Sequence, residues 1–136
     1  MAELTHSLKN VPLFAGLSDR DLERLGSRMR QRRFDQGDTI VTEGEGGVGF
    51  FIIDDGTATV SVGGESVRTL GPGDYFGEMA LIDGGRRSAT IVADTELVCR
   101  GMTAWEFRPL VQGDPDIAWP LIEALVARLR QAEQRG

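Results

Sequence analysis

The middle of this 136-residue chain is dominated by short β-prone runs that glycine-containing turns separate. The runs are TIV at 39, VGFFIID at 48, TATVSV at 57, SVRTL at 66, SATIVA at 88 and ELVCRGM at 96. Many short strands at near-regular spacing predict an antiparallel sandwich or barrel over residues 31–102. No βαβ rhythm interrupts them, so a nucleotide site of the Rossmann kind is not expected.

Turn residues mark the places where these strands should end. The signals are Gln36-Gly37-Asp38, Asp55-Gly56, Gly63-Gly64 and Gly71-Pro72-Gly73-Asp74. An Asp-Gly pair between two β-prone runs is typical of a tight hairpin turn. We therefore expect a hairpin around Asp55-Gly56.

Residues 1–30 are predicted to form an N-terminal helical segment. In SDRDLERLGSRM, Ser18 is the expected N-cap with Asp21 three residues later. Leu22, Leu25 and Met29 then recur at helical spacing, which predicts one buried helix face.

Residues 103–136 are predicted to form C-terminal helices. TAWEFRPLV indicates a short helix, GDPDIAW a turn, and PLIEALVARLRQAEQ a final helix that begins at Pro120. Because proline suits a first helical turn and disturbs later ones, we expect a hinge at Pro120. One apolar stripe is expected on the final helix, and it consists of Leu121, Ile122, Leu125, Val126 and Leu129.

Charge and rare residues exclude several functions. The net charge of -6 argues against nucleic acid or an acidic membrane as partner, since both attract cationic surfaces. The sequence begins without a basic and apolar leader, and its single cysteine, Cys99, is expected to be a buried thiol. Both features favour the cytoplasm. With His6 as the one histidine, we expect no metal, no cofactor and no enzymatic activity.

The stretch FGEMALIDGGRRSAT, residues 76–90, presents an acid and a base among small residues. EMALI suits one helical turn whose free N–H groups favour an anion, and Arg87 offers a fork that matches phosphate oxygens. Glu78 would repel a phosphate, but it could accept hydrogen bonds from sugar hydroxyls. These residue types leave two interpretations open: a nucleotide site, or a surface ion pair of Glu78 with Arg87 beside simple glycine turns.

The order of these residues resembles a known family. FGEMAL, a short gap and RSAT are similar to the phosphate-binding cassette of cyclic nucleotide-binding domains. The resemblance extends to VPLFAGLSDRDLERL, GEGGVGFFII, LGPGDYFGE and GDPDIAWPLIEALVARL. It implies a single domain over residues 1–136. The implied fold is mainly β: an antiparallel, jelly-roll-like β-roll with N-terminal helices, and with hinge and lid helices at the C-terminus.

The resemblance also implies roles for individual residues. Arg87 would pair with the cyclic phosphate, assisted by the backbone N–H of Ala80. Glu78 and the carbonyl of Gly77 would bind the ribose 2′-hydroxyl, and Ser88 would lie beside phosphate and base. The remaining cassette residues assigned to the ligand are Phe76, Met79 and Ala89. Arg86 replaces a proline that relatives often carry, and it is expected to be a solvated charge at the rim.

The function implied is binding of a cyclic purine mononucleotide, with cAMP favoured over cGMP, by a sensory module. Its last helix would transmit occupancy to an effector protein or a second copy. In that helix, Ala132 and Glu133 stand where some relatives place hydroxyls against adenine. Arg128 and Glu133 either contact the base or are solvated charges at a helix end. Trp105 and Trp119 either stack on the purine or anchor their helices.

Two other functions are weighed against this one. The domain could be a degenerate relative that binds another small anion or acts as a protein-interaction module, although retention of both Glu78 and Arg87 argues against it. An enzyme of the related cupin type is the third interpretation, and the absence of a histidine cluster argues against that one.

Overall fold

The computed structural model describes residues 2–45, 49–85 and 87–135. It divides into two compact units, which are described separately below. One unit is Met29–Glu106, and the other combines Met1–Arg28 with Phe107–Gly136.

The described residues of the unit Met29–Glu106 form eight strands, one short helix and the start of another. The strands are β1 (Arg30–Phe34), β2 (Thr39–Val41), β3 (Gly49–Asp55), β4 (Ala58–Val62), β5 (Glu65–Leu70), β6 (Tyr75–Phe76), β7 (Thr90–Ala93) and β8 (Leu97–Thr103). They form two four-stranded antiparallel sheets in the orders β1-β8-β3-β6 and β2-β7-β4-β5. This arrangement is an antiparallel β-roll, so the predicted fold class is confirmed.

Each sheet contributes one face to a shared apolar core. Phe51 and Ile53 of β3, Val60 of β4 and Ile91 of β7 belong to it, and all are at least nine-tenths buried. Cys99 of β8 is fully buried in the same cluster, as predicted. Alternation of apolar side chains along β4 and β7 thus closes the space between the sheets.

The predicted hairpin at Asp55-Gly56 is wrong. β3 pairs with β6 and β8, whereas β4 pairs with β5 and β7, so the chain passes from one sheet to the other at this point. The two-residue hairpin lies instead at Gly63 and Gly64, between the paired residues Val62 and Glu65. Their φ angles of 60° and 84° suit the primed turns that fit twisted strands.

In the other unit, the helices are α1 (Ala2–Lys9), a 3-10 helix (Pro12–Phe14), α2 (Asp19–Ser27), and the greater part of α4 (Ala104–Gln112) and α5 (Pro115–Arg135). The side chain of Ser18 accepts a hydrogen bond from the backbone N–H of Asp21 at 3.1 Å, which confirms the predicted cap. Helix α2 ends at Ser27 and strand β1 begins at Arg30, slightly before the expected end of the helical segment.

The last helix begins five residues earlier than predicted. Pro115 occupies its first turn, and the side chain of Asp114 accepts a hydrogen bond from the N–H of Asp116 at 2.9 Å. An aspartate cap followed by proline is a strong signal for the start of a helix. The helix therefore begins at this signal and not at Pro120, where the sequence analysis placed its start. Pro120 therefore lies inside α5 rather than at its beginning.

The apolar residues of α5 do not share one environment. Leu121 is buried, but Ile122, Val126 and Leu129 are 44–60% exposed. Trp119 is 63% exposed, and Trp105 in the β-rich unit is 66% exposed. Neither indole anchors its helix in a core, so that interpretation of the tryptophans is wrong. Among the described helices, none is long and apolar enough to cross a membrane.

Candidate functional site

A cavity of about 410 Å³ opens in the β-rich unit, and we call it the cup. All eight cassette residues assigned to the ligand line it: Phe76, Gly77, Glu78, Met79, Ala80, Arg87, Ser88 and Ala89. The structure therefore brings together residues from both ends of the 76–90 stretch. Their individual contacts with a ligand stay predictions.

The backbone bends sharply where β6 ends at Phe76. Gly77 has a φ of +88°, and a Cβ atom at this position would collide with the guanidinium of Arg87 and the carbonyl oxygen of Gly49. Only glycine meets both demands without strain. The bend leads into the four-residue helix α3 (Ala80–Asp83), the helical turn predicted from EMALI.

Two backbone groups that we expect to bind the ligand are hydrogen-bonded to each other in this turn. The N–H of Ala80 donates to the carbonyl oxygen of Gly77 at 3.1 Å. The same N–H is expected to assist the phosphate, and the same carbonyl to accept from the ribose. A ligand that uses both groups would have to replace or share this hydrogen bond.

Arg87 is held on three sides. Its backbone N–H donates to the backbone carbonyl oxygen of Glu45 at 2.8 Å, and its own carbonyl oxygen accepts from the backbone N–H of Gly44 at 2.9 Å. Its Nη2 donates to the carbonyl oxygen of Gly49 at the start of β3. These contacts fix the position of a cation in the wall of the cup.

The electrostatics of Arg87 favour an anion as its partner. Burial lowers the pKa of its guanidinium, and the negative charge of Glu78 opposes that shift. Arginine nevertheless stays protonated at neutral pH. Its buried Nε has no hydrogen-bond partner within the described parts of the chain, and a buried donor of this kind costs stability until an acceptor reaches it.

Sequence reasoning missed the wall of the cup that the sheet β2-β7-β4-β5 contributes. Val41, Val60, Leu70 and Ile91 give it an apolar surface, and Arg68 on β5 adds a second cation. These residues are spread over β2, β4, β5 and β7. No local motif marks them, because only strand pairing brings them together.

The other assigned residues lie elsewhere. Arg86 falls outside the described residues. Arg128, Ala132 and Glu133 lie on α5, and Arg128 lines a groove of about 270 Å³ that also includes Pro12 of the 3-10 helix. Their contact with a base stays a prediction. Over residues 2–45, 49–85 and 87–135, no group of three or more metal-ligating side chains is found.

A β-roll of two antiparallel sheets with a cassette-lined cup defines the class of protein. Residues 31–114 match the family model described as cyclic nucleotide-binding domain. The chain therefore belongs to the cyclic nucleotide-binding domain family.

Known relatives share this domain within longer proteins. The chain is 34% identical to a cyclic AMP receptor protein of Thermus thermophilus over 133 residues, which cover 93% of this chain and 61% of the relative. It is 35% identical to a cGMP-dependent protein kinase of Eimeria tenella over 128 residues, 93% of this chain and 12% of that kinase. The chain thus spans less than two thirds of either relative.

A solved structure supports the same assignment. The N-terminal domain of a transcriptional regulator from Streptomyces coelicolor superimposes with a TM-score of 0.86 at 28% identity. The match covers 94% of this chain and 95% of that domain.

Proposed function

We propose that this domain is a sensor that binds a cyclic purine mononucleotide in the cup. The observation that carries the proposal is the half-buried guanidinium of Arg87, which donates from Nη2 to the carbonyl oxygen of Gly49 and whose buried Nε has no partner among the described residues. An arginine fork in a cup of small residues suits a phosphate diester, whose oxygens can accept from its free donors.

The remaining parts of a cyclic nucleotide find matching surfaces in the cup. Glu78 offers acceptors for the ribose hydroxyl, and the wall of Val41, Val60, Leu70 and Ile91 offers an apolar surface for a purine. We favour cAMP over cGMP, with cGMP binding still measurable. The similarity to both a cyclic AMP receptor protein and a cGMP-dependent kinase supports either base.

We further propose that the domain performs no chemistry and reports occupancy through α5. Exposed apolar side chains at Trp119, Ile122, Val126 and Leu129 follow the alternating three- and four-residue spacing of a helix-pairing seam. An effector protein or a second copy would cover them. The charge of -6 supports a role that involves neither nucleic acid nor membrane, and the cytoplasm as location remains part of the proposal.

Calorimetric titration of the protein with cAMP, cGMP, 5′-AMP and inorganic phosphate tests the proposal. We expect one site per chain for the two cyclic nucleotides and much weaker binding of 5′-AMP and phosphate. Binding of phosphate as tightly as cAMP would favour a general anion site, and no binding of any ligand would favour a degenerate interaction module.

A further inference from the structure

Arg24 of α2 binds two carboxylates at once. Its Nη1 donates to Oδ2 of Asp114 at 2.6 Å and to Oδ1 of Asp21, on the same helix, at 3.2 Å. Asp114 lies between α4 and α5, 90 positions further along the chain than Arg24. This contact, which we call the attachment, therefore ties α2 to the junction from which the last helix starts.

The same carboxylate also caps α5. Oδ1 of Asp114 accepts from the backbone N–H of Asp116 at 2.9 Å. The backbone carbonyl oxygen of Asp114 accepts from the N–H groups of Ile117 and Ala118 at 3.1 Å. One oxygen of the side chain thus serves Arg24 and the other serves the first turn of the helix, so a hydrogen-bonded path runs from α2 into α5.

Partial burial distinguishes the attachment from an ordinary surface ion pair. The side chains of Asp21 and Asp114 are 13% and 25% exposed. Those of Lys9 and Asp19, which pair at 3.4 Å between α1 and α2, are 56% and 74% exposed. The hydrogen bond to Asp114 raises the pKa of Arg24, and the same bond lowers the pKa of Asp114. An isolated pair in water contributes little, but a cation shared by two partly shielded carboxylates holds its geometry.

Helix α5 changes character just beyond its attached end. Ile117 and Leu121 are at most 4% exposed, but none of residues 122–134 is buried. Pro120 has no N–H to donate to the carbonyl four residues earlier, so the helix lacks one backbone hydrogen bond near this boundary. The helix therefore consists of an anchored base, residues 115–121, and an exposed arm, residues 122–134.

We propose that Arg24, acting through Asp114, is a positioning residue that holds the base of α5 on α2 and so sets how the arm responds to a ligand in the cup. With the base attached, a ligand can order the arm against a fixed support. Without the attachment, the base opens more often, and the arm loses that support. The ligand response rests on the proposed function, whereas the attachment itself can be tested on the protein without ligand.

Two variants remove the attachment but keep the cap of α5. Arg24→Met removes the cation. Asp114→Asn keeps an oxygen for the N–H of Asp116, but it replaces the acceptor of Arg24 by an NH2 donor. Without ligand, hydrogen exchange followed by mass spectrometry should show residues 115–121 exchanging about threefold faster or more in both variants. Arg24→Lys should restore part of the protection, because it keeps a positive charge without the fork.

The second readout is the effect of saturating cAMP on the arm. The gain in protection of residues 122–134 on cAMP binding should fall about twofold or more in Arg24→Met and Asp114→Asn relative to wild type. Urea unfolding of the same variants identifies a merely structural role. A lower free energy of unfolding together with an unchanged gain in the arm would overturn the inference.

Lys9→Met is the matched control, because it breaks an ion pair of α2 that does not involve α5. It should leave both exchange measurements at their wild-type values. Unchanged exchange of residues 115–121 in both Arg24→Met and Asp114→Asn would show that Arg24 does not hold the base. If the wild-type protein does not bind cAMP, the proposed function fails, and exchange without ligand still decides whether the attachment exists.

Discussion

Arg87 donates a hydrogen bond from Nη2 to the carbonyl oxygen of Gly49, so the cation of the cassette is anchored to the first residue of β3. The contact joins residues 38 positions apart in the chain. Because a backbone carbonyl holds one arm of the fork, the orientation of the guanidinium does not depend on another side chain. The backbone of the β-rich unit thus helps to set where this guanidinium lies in the cup.

Arg87→Ala should weaken cyclic nucleotide binding by at least tenfold, since truncating one partner of a buried charge pair costs about 2–5 kcal/mol. Calorimetric titration gives the change. Arg33→Ala is the matched control, because Arg33 is an exposed arginine that pairs with Glu96 at 3.5 Å. Equal losses in both variants would show that the binding depends on net charge rather than on Arg87.

Gly77→Ala should destabilise the domain and reduce binding. The new methyl group would meet the guanidinium of Arg87 and the carbonyl of Gly49, in addition to the strain of a positive φ. We expect a loss of about 1–3 kcal/mol in the free energy of unfolding, measured in urea.

The variant Gly84→Ala separates the collision of the new methyl group from the strain of a positive φ. Gly84 also has a positive φ, 62°, but no neighbouring atom of the described residues lies within 4 Å of a Cβ atom there. It should therefore cost less than Gly77→Ala and leave binding nearly intact. An equal loss of unfolding free energy in the two variants would contradict the prediction, because it would mean that the collision at Gly77 has no energetic cost.

The stability of the domain should fall between about pH 9 and pH 12 because of Cys99. Burial raises the pKa of this thiol from 9.0 to about 12. The unfolded chain therefore releases the thiol proton first as the pH rises, which favours unfolding by at most about 1.4 kcal/mol per pH unit. Urea unfolding of wild type and Cys99→Ala at pH 8–10.5 measures the difference. Parallel pH profiles of the two proteins would contradict the prediction.

Saturating cAMP should increase protection of backbone amides in residues 120–134 beyond that in the N-terminal helices. A ligand shifts a helix only if it stabilises one of its positions more than another. Hydrogen exchange followed by mass spectrometry reads each segment. Identical exchange of residues 120–134 with and without cAMP, while residues 76–90 become protected, would place the response outside α5.

The sequence predicted those elements whose signals are local. All six β-prone runs contain strands, namely β2, β3, β4, β5, β7 and β8. Strand β1, with the sequence RQRRF, has mostly exposed residues and so carries no apolar alternation to detect. The pair Asp55-Gly56 correctly indicated a turn between β3 and β4. It could not show that these two strands pair with β8 and β7 rather than with each other, because that pairing depends on residues far away in the chain.

The residues of the candidate site also fall into two groups, one that a local motif predicts and one that only strand pairing reveals. Its cassette residues are close in sequence, and a short motif was enough to bring them together. Arg68 is 19 residues from Arg87, and its inward position follows only from the register of β5 against β4. Arg68 could be assigned to the cup once the strand pairing was in hand, but not from composition or motif.

Strand β5 lies at the edge of its sheet, and five of its six residues are exposed. Substitutions on such a strand disturb few packed neighbours, so their cost in folding is small. The wall that this strand contributes can thus be varied while the residues of 76–90 stay untouched. A small library of variants on β5 would therefore measure what this wall of the cup contributes to ligand binding, with little loss of folding stability.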